Sequence, residues 1–191
     1  KYKSLNLSLD ITWFRFARNY NIELIPVCFE DEKRIKKIDF DGVIFSGGGD
    51  LFINNKSKEN RIRDLFEIKL LKYCFKNKIK TILICRGLQL LIYLNKLKLK
   101  KKKLHVTKNH IINLEKNLLK TKLKKLNVNS FHQYTFNKCP KKYSIIARHH
   151  DKTIEIIYSE NLDSLGLMFH PERQNVDIKK IKKILSTFIN S

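Results

Sequence analysis

Thr81-Ile82-Leu83-Ile84-Cys85-Arg86-Gly87-Leu88-Gln89-Leu90-Leu91 is the stretch that decides the reading of this chain. An apolar run typical of a buried strand stops at a cysteine. After a tight turn, apolar positions resume in a helical pattern. This places Cys85 on a strand-to-helix elbow, at a helix N-terminus. Partial positive charge there favours a thiolate, so the thiol pKa is expected to fall. Gly87 lets the backbone turn sharply and come close to a substrate. The arrangement is that of a nucleophile elbow with cysteine in place of serine. A lone cysteine on an apolar strand is more often core filler. Two further segments weigh against that.

The first is Leu165-Gly166-Leu167-Met168-Phe169-His170-Pro171-Glu172. An apolar strand runs into a histidine, and Pro171, lacking an N–H, ends the ladder. An imidazole acting as a base needs a partner on its other nitrogen to fix the tautomer. Glu172, two residues on, can supply it. Alone, His170 would read as a surface histidine at a strand end. The second is Phe45-Ser46-Gly47-Gly48-Gly49-Asp50, after the strand-like Gly42-Val43-Ile44. Consecutive glycines present backbone N–H groups unobstructed, which suits an oxyanion hole. Three glycines by themselves also fit an ordinary turn.

The rest of the chain alternates helix and strand, which predicts an α/β fold. Residues 9–20 read as a helix with Trp13, Phe16 and Ala17 inward. Residues 22–28 read as a strand interrupted by Pro26. Residues 61–77 read as an amphipathic helix with Ile62, Leu65, Phe66, Lys69, Leu70 and Tyr73 along one side. Residues 79–84 form the strand into the elbow and 87–94 the following helix. Shorter strands are expected at 110–114, 125–128 and 144–148, an adjacent pair at 154–158 and 165–169, and a closing helix over Ile178–Ile189. No internal repeat or linker divides the chain.

At 191 residues, 42% of them hydrophobic, the chain suits one domain with a sizeable core. No run is long and apolar enough for a membrane span, and no signal-peptide pattern is present. Cys28, Cys74, Cys85 and Cys139 lack a Cys-x-x-Cys spacing, so a zinc site is not expected. His105, His110, His149 and His150 show no ligand pattern, and His149-His150 reads as a solvated turn pair. Four cysteines, one of them needed as a thiolate, point to a reducing cytoplasm.

Four segments, Ser46-Gly47-Gly48-Gly49-Asp50-Leu51, Cys85-Arg86-Gly87-Leu88-Gln89, Val128-Asn129-Ser130-Phe131-His132-Gln133 and His170-Pro171-Glu172-Arg173, together resemble the class I glutamine amidotransferase superfamily. Within it they resemble the γ-glutamyl-γ-aminobutyrate hydrolase-like branch. They occur in family order and span most of the chain. The resemblance implies a three-layer α/β/α, flavodoxin-like fold with a mostly parallel central sheet, in a single hydrolase domain over residues 1–191. It implies Cys85 as nucleophile, His170 as general base and acid, and Glu172 as the group orienting His170. The oxyanion hole would use the backbone N–H of Arg86 and one from Gly48 or Gly49. Gln89, Ser130, Phe131 and His132 would help hold a γ-glutamyl group; Gln89 also reads simply as a helix residue packing on the elbow. Glutamate would leave through a thioester, with no metal or redox cofactor. Family members begin with a parallel strand ahead of the segment matching residues 1–10. That strand is expected to be missing from this sequence rather than from the sheet, since a lost central strand leaves backbone groups unpaired.

The net charge is +22, densest over 96–103 and on to 108. Such charge can mark nucleic-acid binding. Here lysine far outnumbers arginine, the charge is spread over almost every segment, and no nucleic-acid motif is present. Abundant Asn and Ile fit a codon bias. An anionic small-molecule substrate is the other reading, because a positive cleft concentrates phosphate-bearing molecules. Asp10-Ile11-Thr12-Trp13 and the segment Arg61-Ile62-Arg63-Asp64-Leu65-Phe66-Glu67 resemble the capsule-biosynthesis subgroup, which cleaves γ-glutamyl groups from nucleotide-linked amidates. Arg15, Arg61, Arg63 or Arg173 would then contact phosphate. Two alternatives stay open: a glutaminase subunit delivering ammonia to a synthase partner, and a non-catalytic basic binding module. The leaving group and the oligomeric state are not legible.

Overall fold

A computed structural model describes residues 8–102, 106–116 and 122–191. His105, Lys103 at the end of the basic run, and the first residues of the chain lie outside these. Helix α1 (Thr12–Tyr20) turns Trp13, Phe16 and Ala17 inward, as its pattern predicts. Asp10 holds its start, accepting from the Thr12 backbone N–H at 3.0 Å. Residues 22–28 enter no ladder, unlike the expected strand. Pro26 has no N–H to donate, which defeats regular pairing across the segment.

Strand β1 (Gly42–Phe45) leads through α2 (Lys58–Lys76) to β2 (Lys80–Ile84) and α3 (Arg86–Leu94). Next come β3 (Lys100–Lys101), β4 (Val106–Leu114), β5 (Lys125–Phe131), β6 (Tyr134–Thr135), β7 (Ser144–His149), β8 (Ile154–Ser159), β9 (Ser164–Leu167) and α4 (Ile178–Ile189). The seven-stranded sheet runs β1-β2-β9-β8-β7-β4-β5. It is mixed rather than mostly parallel. β1, β2 and β9 run parallel, while β9–β8, β8–β7, β7–β4 and β4–β5 pair antiparallel. Connection length is the reason. The α2 crossover is long enough to return the chain in the same direction, whereas the tight turns at 150–153 and 160–163 can only reverse it.

Both faces of the sheet are covered. Along β2, Ile82 and Ile84 face a cluster with Trp13, Phe16, Ile181, Leu185 and Phe188, so α1 and α4 lie on that side. Leu83 faces the other side, with Phe66, Leu70, Leu71, Leu88 and Leu91 of α2 and α3. This period-2 split of the apolar run Ile82–Ile84 is what a strand buried on both faces requires.

Helix α2 is rotated from the expected face. Its buried residues are Asp64, Phe66, Glu67, Leu70, Leu71 and Cys74. Leu65 is 52% exposed, and Lys69 bonds Glu32 at the surface. Two acidic residues turn inward because a buried cation, Arg86, lies beneath them. Among the described residues, no helix is long and apolar enough to cross a membrane.

Candidate active site

The three parallel strands end at the same edge of the sheet, and each delivers one motif there. β2 ends at Cys85. Its N–H donates to the Leu167 carbonyl of β9 at 2.7 Å, and its carbonyl accepts from the Gln89 N–H at 2.9 Å as α3 begins. The backbone at Cys85 has φ 47° and ψ −96°. That region is strained for a residue with a Cβ and is characteristic of functional turns. Gly87 makes the turn fit: a Cβ there would lie 2.6 Å from the Phe45 carbonyl oxygen at the end of β1.

β9 leads to His170, which is buried. Its Nδ1 lies 2.6 Å from Glu172 Oε1. This hydrogen bond leaves Nε2 as the nitrogen able to exchange a proton with a reacting group. The backbone around His170 is held by two asparagines. The His170 N–H donates to Asn129 Oδ1 at 2.8 Å, and its carbonyl accepts from Asn129 Nδ2 at 2.8 Å and Asn175 Nδ2 at 2.9 Å. β1 delivers the glycine loop, with Gly48 at φ 85° and Gly49 at φ 71°. The imidazole packs directly on this loop: a Cβ on Gly47 would stand 2.5 Å from His170 Cε1.

Electrostatics correct one expectation. Burial, reinforced by the negative charge of Glu172, pushes the Cys85 thiol up to about 12, while a hydrogen bond from the Arg86 N–H pulls the other way. Lost hydration outweighs one helix N-terminus. Cys85 at rest is therefore a thiol, and any attack by its sulfur requires the proton to leave.

The Arg86 side chain points away from that sulfur and is 1% exposed. Its guanidinium pairs with Asp64 and Glu67 of α2. Glu67 also accepts from Arg63 Nε at 2.7 Å. Arg63 in turn donates to the carbonyls of Ser46, Gly47 and Gly48. Arg63 is thus committed to the glycine loop rather than presented to a ligand.

The other expected contacts separate. Phe131 lies edge-on to the His170 ring, with centroids 5.8 Å apart. The Arg173 guanidinium sits over Phe131 at 4.8 Å and 3.8 Å from Asp10. Gln89 is buried and donates to the Tyr134 carbonyl at 3.3 Å. Ser130 is buried on β5. His132 turns inward, its Nε2 3.7 Å from Glu155. Arg15 is exposed on α1, and Arg61 stacks near Phe52 at 5.9 Å.

His149 is not part of a solvated pair. It packs 4.6 Å from His110 and 3.0 Å from Asp151, while His150 alone is exposed. Burial lowers the His149 pKa. Among the described residues, no group of three or more His, Cys, Asp or Glu is arranged to hold a metal ion.

Sequence reasoning missed Asn175 and Glu155 as parts of this region, and it assigned no role to Gly47 as the packing surface of His170 or to Asn129 as its backbone anchor. Asn129 lies inside one of the four motifs, but its double hold on His170 depends on β5 lying near the β9 exit. Asn175 carries no local signal.

The chain matches the family model described as Peptidase C26 over residues 22–172. It is 28% identical over 158 residues to a gamma-glutamyl-CDP-amidate hydrolase of Campylobacter jejuni, covering 81% of this chain and 74% of that protein. Its fold is similar to that of a GMP synthase subunit protein of Thermoplasma acidophilum, with a TM-score of 0.73, 16% identity, and coverage of 94% of this chain and 85% of that one. It is also similar to a glutamine amidotransferase of Thermotoga maritima, with a TM-score of 0.70, 14% identity, and coverage of 94% and 90%. These two likenesses establish the class I glutamine amidotransferase fold. With the family model spanning the glycine loop, the elbow and the His-Pro-Glu segment, the chain belongs to the Peptidase C26 family.

Proposed function

We propose that the chain is a cysteine-dependent hydrolase, acting as one domain, that cleaves a γ-glutamyl amide and releases L-glutamate. We further propose that its leaving group carries phosphate, as in a γ-glutamyl-CDP-amidate of capsule biosynthesis. The observation that carries the reading is the His170–Glu172 pair, 2.6 Å apart, packed on the glycine loop at the edge where β2 ends in Cys85. The likeness to the Campylobacter jejuni hydrolase supports the substrate class.

In this reading the Cys85 sulfur attacks the γ-carbonyl carbon while its proton passes to His170. Glu172 stabilises the imidazolium that forms. The tetrahedral oxyanion accepts hydrogen bonds from the Arg86 N–H and from Gly48 or Gly49. The C–N bond then breaks as His170 returns the proton to the leaving nitrogen. His170 next takes a proton from water, whose oxygen attacks the thioester. Glutamate leaves and Cys85 regains its proton. Arg173 over Phe131, beside His170, is the cation placed to meet a phosphate-bearing group. The net charge of +22 would draw such anions in. A reducing cytoplasm would keep Cys85 as a thiol.

The test is glutamate release from glutamine, γ-glutamyl-γ-aminobutyrate and a γ-glutamyl nucleotide amidate, with Cys85→Ala alongside. The expected result is Cys85-dependent release, fastest from the nucleotide amidate. Equal turnover of phosphate-free and nucleotide substrates would remove the phosphate assignment. Release that survives Cys85→Ala would remove the mechanism.

A further inference from the structure

We propose that Arg63 is a positioning residue that sets the direction of the oxyanion-hole amides, and that Glu67 and Asp64 lock it to the nucleophile elbow. This rests on the reading of Cys85 as nucleophile.

The starting point is that one guanidinium gathers three successive carbonyls. Arg63 Nη1 donates to Gly48 O at 2.7 Å, and Nη2 donates to Ser46 O at 3.0 Å and Gly47 O at 3.3 Å. In a planar trans peptide, the C=O of one residue and the N–H of the next point in opposite directions. Turning the Gly47 and Gly48 carbonyls toward Arg63 therefore aims the Gly48 and Gly49 N–H groups away from it. Among the described residues, neither of those amides donates to another backbone group.

The loop cannot hold this arrangement by itself. Three glycines allow either face of each peptide to turn outward at little cost. Three carbonyls converging on one point also repel one another without a cation between them. Lysine could not replace Arg63, because an ammonium lacks the planar fork that spans several acceptors.

The second layer joins this loop to the elbow. Glu67 accepts from Arg63 Nε at 2.7 Å through one oxygen and from Arg86 Nη1 through the other. Asp64 accepts from Arg86 Nη2 and from the Phe52 N–H at 2.8 Å. Arg86 Nε reaches the Asp50 carbonyl at 3.3 Å. A single set of ion pairs from α2 thus fixes residues 46–52 relative to Arg86, the residue that follows Cys85 on the elbow. The two halves of the hole lie on different loops, so their spacing needs such a brace.

The test compares Arg63→Met and Arg63→Lys with the wild type in two readouts. The first is the backbone amide order parameter from NMR relaxation, which needs no turnover. Values at Gly48 and Gly49 should fall from the rigid range of about 0.85 to below about 0.6 while those of β2 and α3 hold, because only the loop loses its anchor. The second is kinetic. Loss of aligned donors should lower kcat by roughly 10²–10³-fold with KM nearly unchanged. Affinity for a γ-glutamyl aldehyde, which forms a tetrahedral adduct, should fall in parallel. Alkylation of Cys85 by iodoacetamide builds no oxyanion and should stay near the wild-type rate.

Unchanged order parameters at Gly48 and Gly49 overturn the proposal. So does a parallel fall in kcat and alkylation, which would mean the elbow itself had collapsed. If Arg63→Met does not fold, Arg63→Lys carries the same readouts. If the wild type releases no glutamate, the functional reading fails and the order parameters still decide the clamp.

Discussion

Replacing Gly47 with alanine tests how the site is assembled. The added Cβ would stand 2.5 Å from His170 Cε1, 3.2 Å from Nε2 and 3.3 Å from Nδ1. Carbon atoms in contact prefer about 3.5–4.0 Å. The ring or the loop must therefore retreat by roughly an ångström. The ring is tied by Glu172 at 2.6 Å, and its backbone by Asn129 and Asn175. The loop is tied by Arg63. Whichever yields, the base and the oxyanion donors lose registration. A misplacement of about 1 Å costs on the order of 10²-fold in rate, or about 2.7 kcal/mol of barrier. Overpacking alone should cost about 1–3 kcal/mol of stability. The control is Gly166→Ala, whose Cβ would meet Leu88 Cδ1 at 2.8 Å and Ile157 Cγ1 at 2.9 Å in the core. Both variants should melt earlier, but only Gly47→Ala should lose about two orders of magnitude in kcat/KM for glutamate release. A Gly47→Ala enzyme within roughly threefold of wild type would refute the packing of His170 on the loop as a determinant of rate.

Three other outcomes are expected. Iodoacetamide alkylation of Cys85 should keep accelerating as pH rises past 9, because burial pushes the thiol up to about 12; a plateau near neutrality would show a poised thiolate instead. Arg86→Met leaves Asp64 buried without its cation and should cost about 3–5 kcal/mol in denaturant unfolding; a cost under roughly 1 kcal/mol would show that the ion pairs do not hold the elbow. Burial raises the Glu155 pKa, but His110 and His132 together outweigh it and hold the carboxyl down at about 2. A depressed pKa stabilises the fold above the unfolded value and ceases to do so as pH falls through the folded one. Stability should therefore decline from the ordinary glutamate value of 4.5 toward 2, and Glu155→Gln should flatten that acid limb; an unchanged limb would assign the decline to other carboxylates.

The sequence by itself determined those features that one stretch of chain can encode. The apolar run into Cys85 and the resumption of helical spacing after Gly87 are local signals, and those two elements formed where their patterns placed them; the strand before His170 also formed but stops at Leu167 rather than at Pro171. Glu172 lies two residues from His170, so their pairing needs only one turn. Tertiary structure decided everything that depends on what lies across a gap. The 22–28 run looks like a strand, but no partner can use a segment broken by Pro26. The inward face of α2 was misjudged because Asp64 and Glu67 look like solvent residues until Arg86 is found beneath them. The thiol of Cys85 was expected to be acidic from its place on a helix, yet the enclosure that raises its pKa comes from neighbours distant in sequence. The hold of Asn129 on His170 joins β5 to the exit of β9, which are not neighbours in the sheet order. Local propensity and periodicity report what a residue prefers, whereas burial, charge pairing and the approach of Gly47 to an imidazole exist only once the layers have closed.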